Sequence, residues 1–232
     1  NRFPLSDILK YFLEYGQESL GCPVEIEFAV NLHDDKKDEF SLLQIKPMTI
    51  NSFNRKIINN DIKNDLLFCK SDVVLGEGLI DDIYHIIYVD INQFDISQSN
   101  MIAYQIEELN KYLGPKNPYL LIGPGRWGSS DQWLGIPTTW EQINNAKIII
   151  ELGIDGLEPD PSFGSHFFQN LTSLHLAYFT LNKNSTQKNL NWNLLSNFKI
   201  FKETDYVKWI KIHKPLNCMI DGSSGKGIII QD

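Results

Sequence analysis

Four polar residues in two neighbouring segments carry the most specific chemistry in this sequence. Glu25 and Glu27 are two positions apart, and so are Gln44 and Lys46. In a β-strand, residues two apart lie on the same face. If the two segments pair with these faces together, two carboxylates, an amide and an ammonium group converge. Such a set suits a Mg²⁺ ion and a transferring phosphoryl group.

The two segments that hold these residues have the pattern of β-strands. Apolar and polar residues alternate from Val24 to Val30, and a polar loop leads to a second apolar run, 40–45, which Pro47 ends. This alternation predicts an antiparallel hairpin with a long, charged turn. The alternative is an exposed sheet face on which Glu–Lys pairs across the strands serve solubility.

The paired segments resemble the end of the ATP-grasp domain in the pyruvate phosphate dikinase and phosphoenolpyruvate synthase family. In that family an acid-x-Glu strand precedes a strand that ends Leu-Gln-x-Arg-Pro. The likeness covers roughly residues 4–48, about a fifth of the chain. It implies metal ligation by Glu25 and Glu27, a supporting nucleotide contact by Gln44, and a catalytic phosphate contact by Lys46. It also implies ATP and Mg²⁺ as cofactors of the full-length protein.

Two residues depart from the family pattern. Glu25 stands where an aspartate is usual, and Lys46 stands where an arginine is usual. An ammonium group cannot bind phosphate through two parallel hydrogen bonds, as a guanidinium does. The resemblance thus implies a fragment of an ATP-dependent phosphotransferase-like protein. The alternative is a noncatalytic nucleotide- or anion-binding regulatory module.

The family's other nucleotide-binding lobe, with its glycine-rich strand and lysine, is not recognisable in these 232 residues. We therefore expect an upstream domain of the same polypeptide to complete the site, with a nucleotide and a small anionic substrate as ligands. On its own, the chain is expected to be inactive and to bind ATP weakly or not at all.

A second cluster of specialised residues follows a short apolar segment, in the run Gly-Pro-Gly-Arg-Trp-Gly-Ser-Ser-Asp at 123–131. Glycines let backbone N–H groups approach an anion closely. The run predicts a possible phosphate or carboxylate site formed by Gly123, Gly125, Arg126, Ser129 and Ser130. The alternative is a tight turn in which Trp127 and Trp133 are packed in the core and Arg126 pairs with Asp131.

Two further segments were weighed for function. His166 could join Ser129 or Ser162 in a hydrolase site, but no nucleophile motif supports this, and a structural histidine is favoured. The run 222–227, Gly-Ser-Ser-Gly-Lys-Gly, lacks the residues of a phosphate loop and predicts a hairpin turn. The runs 125–131 and 164–170 resemble the C-terminal region of large bacterial proteins with a pyruvate/phosphoenolpyruvate-binding-like domain, which implies an accessory domain of unassigned role over residues 65–181.

The remaining pattern predicts an α+β fold. Helices are expected at 6–20 and 99–113, each followed by a glycine, and a helical turn is expected at 166–174. Strands are expected at 66–68, 73–75, 84–89, 119–122, 148–152, 176–181, 207–213, 218–220 and 227–230. The predicted domains are a partial ATP-grasp lobe with its antiparallel hairpin at 1–48, a connector at 49–64, and a mixed α/β accessory domain at 65–232.

Composition limits the classes of partner. The net charge of −8 disfavours nonspecific binding to nucleic acid, which requires a basic surface. The three cysteines form no metal-binding or disulfide pattern, which is typical of a reducing cytoplasm. No apolar run approaches the roughly 20 residues of a membrane span. We therefore expect a cytoplasmic protein that binds neither nucleic acid nor membrane.

Overall fold

The computed structural model describes residues 3–20, 24–33, 37–47, 66–129, 131–159 and 176–231. The chain divides into two compact units, Asn1–Asn51 and Ser52–Asp232. Helices, a mixed sheet and a separate antiparallel hairpin make up these units, so the predicted α+β class is confirmed. The predicted connector at 49–64 and the helical turn at 166–174 lie outside the described residues. None of the described helices has the length and apolar character needed to cross a membrane.

The first unit consists of helix α1 (Leu5–Leu20) and the hairpin strands β1 (Val24–Asn31) and β2 (Glu39–Pro47). These are the predicted helix and hairpin. Phe40 forms stacked ring contacts with Phe12 of the helix and with Phe28 of β1, at centroid distances of 5.5 and 5.4 Å. One face of the hairpin is therefore packed against α1.

Helix and hairpin are in close contact at Gly16. This residue is buried, and a Cβ atom added to it would lie 2.8 Å from Val24 Cγ2. A methyl group cannot occupy that distance without displacing the valine. The glycine is therefore required by packing, although glycine is a poor helix former.

A β-bulge at Leu43 sets the faces of the hairpin. Glu27 pairs with Gln44 but Phe28 pairs with Leu42, so Leu43 has no partner on β1, and its side chain is 65% exposed. The extra residue shifts the alternation of β2 by one position. As a result, Leu42 shares the helix-packed face with Phe28, while Gln44 shares the opposite face with Glu27.

The second unit contains most of the secondary structure. Its strands are β3 (Leu67–Ser71), β4 (Val74–Leu75), β5 (Glu77–Val89), β6 (Tyr119–Pro124), β7 (Arg126–Trp127), β8 (Gly135–Ile136), β9 (Ala146–Leu152), β10 (Ala177–Leu181), β11 (Ile200–Glu203), β12 (Val207–Asp221) and β13 (Lys226–Gln231). Its helices are α2 (Ser99–Leu113), α3 (Lys183–Asn189) and α4 (Trp192–Asn197).

Several predicted elements of this unit are confirmed, and some need correction. Helix α2 has the predicted bounds, and the predicted hairpin turn in the run 222–227 is formed by residues 222–225, between the antiparallel strands β12 and β13. The strands expected at 207–213 and 218–220 are one strand, β12. Helices α3 and α4 were missed because they are short, with seven and six residues. Each begins at an asparagine whose side chain accepts a hydrogen bond from a backbone N–H, Asn182 from Ser185 and Asn191 from Leu194.

The main sheet closes on itself. Its strand order is β3-β13-β12-β5-β6-β9-β10-β4, with β11 attached to β12. Strands β5, β6, β9 and β10 are parallel, and the other pairs are antiparallel. The two end strands, β3 and β4, are separated in sequence only by Asp72 and Val73. One chain segment therefore joins both edges of the sheet.

The closed sheet has an apolar core on each side. Every strand of the closed path contributes to one core. Leu190, which directly follows α3, and Leu195 of α4 complete this core. The other core lies between the outer face of the sheet and the buried side of α2. Alternate residues of β6 divide between them, Leu120 in the first and Leu121 in the second.

The close approach at Gly16 generates a testable prediction. Gly16→Ala should gain up to about 1 kcal/mol of helix propensity, but overpacking against Val24 should cost about 1–3 kcal/mol. We expect a net loss of stability in the first unit, measured by urea unfolding followed through the amide signals of β1. Gln17→Ala, at the exposed neighbouring position, is the control and should be neutral or stabilising.

A double-mutant cycle identifies the cause. Truncating the valine in Gly16→Ala/Val24→Ala should remove the clash, so the two substitutions should be less destabilising together than the sum of their separate effects. Additive effects would contradict the packing explanation.

Candidate functional site

The hairpin face opposite α1 carries the predicted metal and nucleotide residues. The register places Glu25 directly opposite Lys46 and Glu27 directly opposite Gln44. Directly opposed residues of an antiparallel pair share a face. The Glu25, Glu27 and Gln44 side chains are exposed, while for Lys46 only the backbone position is described.

This arrangement fits a magnesium ion only if other ligands complete its coordination. The two exposed glutamates supply at most part of an octahedral oxygen set. Among the described residues, no group of three or more His, Cys, Asp or Glu side chains is placed to hold a metal. Magnesium commonly binds through one or two carboxylates together with water and substrate phosphates. The glutamates could therefore hold Mg²⁺ only in company with a phosphate-bearing ligand.

In the second unit, packing explains the glycines of the run 123–131. A Cβ at Gly123 would lie 2.5 Å from Trp127 Cζ2, and a Cβ at Gly125 would lie 2.7 Å from Leu157 Cδ2. Gly125 also has a φ of 68°, which favours glycine. Their small size thus lets Trp127 and Leu157 close over the ends of β6 and β9.

Backbone N–H groups of this run, including that of the proposed site residue Gly125, bind other groups of the protein. The N–H groups of Gly125 and Gly128 donate to Leu152 O and Ile136 O at 2.9 and 3.0 Å, and Trp127 N–H donates to Glu151 Oε1 at 3.0 Å. An anion here would depend on the Arg126 side chain and on Ser129, whose hydroxyl oxygen accepts from Asp131 N–H. Ser130 lies outside the described residues.

The alternative prediction for this run is partly correct. Trp127 is buried, with 2% of its surface exposed, as predicted. The prediction that Trp133 lies in the core is wrong, because its side chain is 57% exposed. Trp133 belongs to a short 3₁₀ turn, 132–134, which Asp131 caps by accepting a hydrogen bond from Trp133 N–H. This turn directs the indole outward.

Glu151, the most unusual titratable residue of this region, was not among the site residues predicted from the sequence. It lies near the carboxyl end of β9 with only 1% of its surface exposed. Its Oε1 accepts hydrogen bonds from Trp127 N–H and from the Tyr178 hydroxyl, and its Oε2 is also buried. A single acid in the apolar run Ile-Ile-Ile-Glu-Leu, 148–152, was the available signal.

Burial dominates the electrostatics of this carboxyl group. Loss of hydration raises the pKa of Glu151 to about 7, against the opposing effects of the Tyr178 and Trp127 hydrogen bonds and the Arg126 charge. The same burial, with the neighbouring Glu151, raises the pKa of Tyr178 well above its usual value. The pair therefore binds its protons more tightly than exposed groups would.

The raised pKa predicts how stability depends on pH. The folded state holds the Glu151 proton more tightly than the unfolded state does. The contribution of this proton to the free energy of unfolding is therefore fully present below about pH 4.3, the ordinary glutamate pKa. It is lost as the pH rises through about 7. The loss should be on the order of 3 kcal/mol. Glu151→Gln, which mimics the protonated form, should lack this loss.

Urea unfolding of both proteins across pH 4 to 8 measures this effect. The difference in the free energy of unfolding between wild type and Glu151→Gln separates the contribution of Glu151 from those of other carboxylates. A constant difference over the whole range would show that Glu151 titrates at its ordinary pKa.

Comparison of the chain with protein-family models, curated proteins and solved structures gives no significant match. Its function therefore has to be inferred from the chemistry and geometry of its own residues.

Proposed function

We propose that this chain contributes one wall of the nucleotide site of an ATP-dependent phosphotransferase-like protein. This wall contacts Mg²⁺ and phosphate and consists of Glu25, Glu27, Gln44 and Lys46. The observation that supports the proposal is the register of the hairpin, in which Glu25 lies opposite Lys46 and Glu27 lies opposite Gln44. The bulge at Leu43 produces this register while apolar residues occupy the face against α1.

Each residue of the wall has a role in this proposal. Glu25 and Glu27 bind the metal ion that accompanies the nucleotide, and Gln44 supports the nucleotide through its amide. Lys46 contacts the phosphates, where a positive charge stabilises charge that develops on the transferring group. Bound Mg²⁺ would neutralise negative charge on the phosphate oxygens.

Paramagnetic broadening by Mn²⁺ tests the metal role and detects weak binding. In NMR spectra of the 232-residue chain, Mn²⁺ should broaden the amide signals of Glu25 and Glu27 and those of their cross-strand partners. The double variant Glu25→Gln/Glu27→Gln should lose this broadening, because amides are weaker ligands than carboxylates for a hard cation.

Glu39→Gln is a matched control for this experiment. Glu39 is an exposed acid paired with Asn31 at the other end of the same hairpin. This variant should keep the broadening at Glu25 and Glu27. Broadening centred on Glu39, or none at all, would contradict the proposed metal site. Micromolar affinity of the isolated chain for Mg-ATP would contradict the expectation that further residues complete the nucleotide site.

The same register also favours a second candidate, a noncatalytic module. A lysine directly opposite a glutamate is an arrangement that stabilises antiparallel strands by about 0.2–1 kcal/mol. In that case Lys46 and Glu25 maintain the hairpin, and any nucleotide or anion is bound without transfer.

Lys46→Gln separates the two candidates. If the wall binds metal and phosphate, removing the positive charge beside the glutamates should raise Mn²⁺ affinity about three-fold and weaken the effect of added ATP on the same signals. Unchanged metal and ATP responses, together with a less stable hairpin, would support the noncatalytic module instead.

A further inference from the structure

A cavity of about 420 Å³ opens in the second unit, away from the run 123–131. It is lined by Asp82, Tyr84, His85, Lys116, Asn117 and Pro118. These residues come from β5 and from the turn between α2 and β6. The volume is within the range of pockets that bind small molecules.

Two irregularities in neighbouring strands coincide at this cavity. In β12, Lys211 pairs with His85 and Leu216 pairs with Ile83, so the four residues 212–215 lie opposite Tyr84 alone. In β5, residues 81 and 82 lie opposite Asn217 alone. Bulges of this kind are frequent next to binding sites, where they redirect side chains.

Backbone strain marks the same place. Among the described residues, Asp82 is the one non-glycine residue with a positive φ, at 59°. Such a conformation is unfavourable for residues other than glycine, although aspartate and asparagine tolerate it best. The Asp82 side chain is part of the cavity lining.

His85 is held in one orientation at the wall of the cavity. It is 7% exposed, and its Nδ1 accepts a hydrogen bond from Trp209 Nε1–H at 3.2 Å. Nε2 must then carry the proton of the neutral ring. Burial lowers the pKa of His85, the charge of Lys211 lowers it further, and a hydrogen bond with Asn117 partly opposes both. The charged and polar groups around the ring determine what the cavity can bind.

Those groups have complementary chemistry. Lys116 lines the cavity, so a cation is available there for an anionic group. Asp82 supplies a carboxylate that can accept hydrogen bonds, and the Tyr84 ring, 38% exposed, supplies an apolar wall. A phosphate alone would be repelled by Asp82. A phosphate-bearing molecule with hydroxyl groups would satisfy both Lys116 and Asp82.

We propose that this cavity binds a small phosphorylated molecule that carries hydroxyl groups, such as a sugar phosphate. Lys116 binds the phosphate, Asp82 accepts hydrogen bonds from hydroxyls, and the Tyr84 ring contacts the carbon skeleton. This site belongs to the second unit and is independent of the hairpin wall.

NMR titration of the 232-residue chain with glucose 6-phosphate, inorganic phosphate and glucose tests the proposal at constant ionic strength. Glucose 6-phosphate should shift the amide signals of residues 82–85 and 116–117 saturably, with a Kd of about 1 mM or below. Inorganic phosphate should bind more weakly, and glucose more weakly still. No saturable shift with glucose 6-phosphate would overturn the proposal.

Two substitutions should separate the contributions. Lys116→Gln should weaken binding of both glucose 6-phosphate and inorganic phosphate by about five-fold. Asp82→Asn, which retains tolerance of the positive φ, should weaken glucose 6-phosphate binding and strengthen that of inorganic phosphate. Lys70→Gln, which changes an exposed lysine on β3, is the control and should change neither. Equal effects of Lys70→Gln and Lys116→Gln would show nonspecific charge attraction and overturn the site.

The His85 ring provides a readout that a merely structural role would not give. A phosphate bound beside the ring favours its protonated form, so the pKa of His85 should rise when glucose 6-phosphate is added. The ring signals followed against pH, with and without this ligand, measure the change. An unchanged pKa would place the ligand elsewhere and contradict the proposal.

Discussion

The closure of the main sheet is the constraint on which the second unit depends. Ser71 and Val73, beside the junction of β3 and β4, hold the sheet's two edges together. The Ser71 hydroxyl donates to Thr180 O at 2.8 Å, and Thr180 N–H donates to Val73 O at 2.9 Å. Backbone groups at an open edge lack partners, so this junction satisfies groups that would otherwise be exposed or buried without hydrogen bonds. It also brings distant strands together, since a Cβ on Gly227 of β13 would lie 2.8 Å from the Phe179 ring of β10.

Closure also accounts for where the unusual sites lie. A sheet that curves into a closed path needs bends, and bulges provide them. The bulges of β5 and β12 lie beside the cavity at His85. The parallel strands β6, β9 and β10 end together, which is where α/β sheets commonly place functional residues. Glu151 lies at this end, and the Trp127 segment covers it at the cost of burying a carboxyl group.

The first unit depends on a different feature, the β-bulge formed by the single extra residue Leu43. Without it, the alternation of β2 would place Leu42 and Gln44 on the same face. The bulge separates an apolar face, packed against α1 through Phe40 and Gly16, from a polar face with Glu25 and Glu27. The same local feature thus supports both the packing of the unit and its proposed metal site.

Local pattern was sufficient to predict much of this fold. Apolar periodicity and glycine stops predicted α1 and α2, and alternation predicted the hairpin and the spacing that puts Glu25 and Glu27 on one face. These features depend on neighbours within a few residues, so they are visible in the sequence. Only the tertiary structure decided that the sheet closes, that Glu151 is buried between Trp127 and Tyr178, and that His85 and Lys116 share a cavity. Those relations join residues that are from 24 to 109 positions apart, as in the bonds of Trp127 to Glu151 and of Ser71 to Thr180, and no local period encodes such contacts.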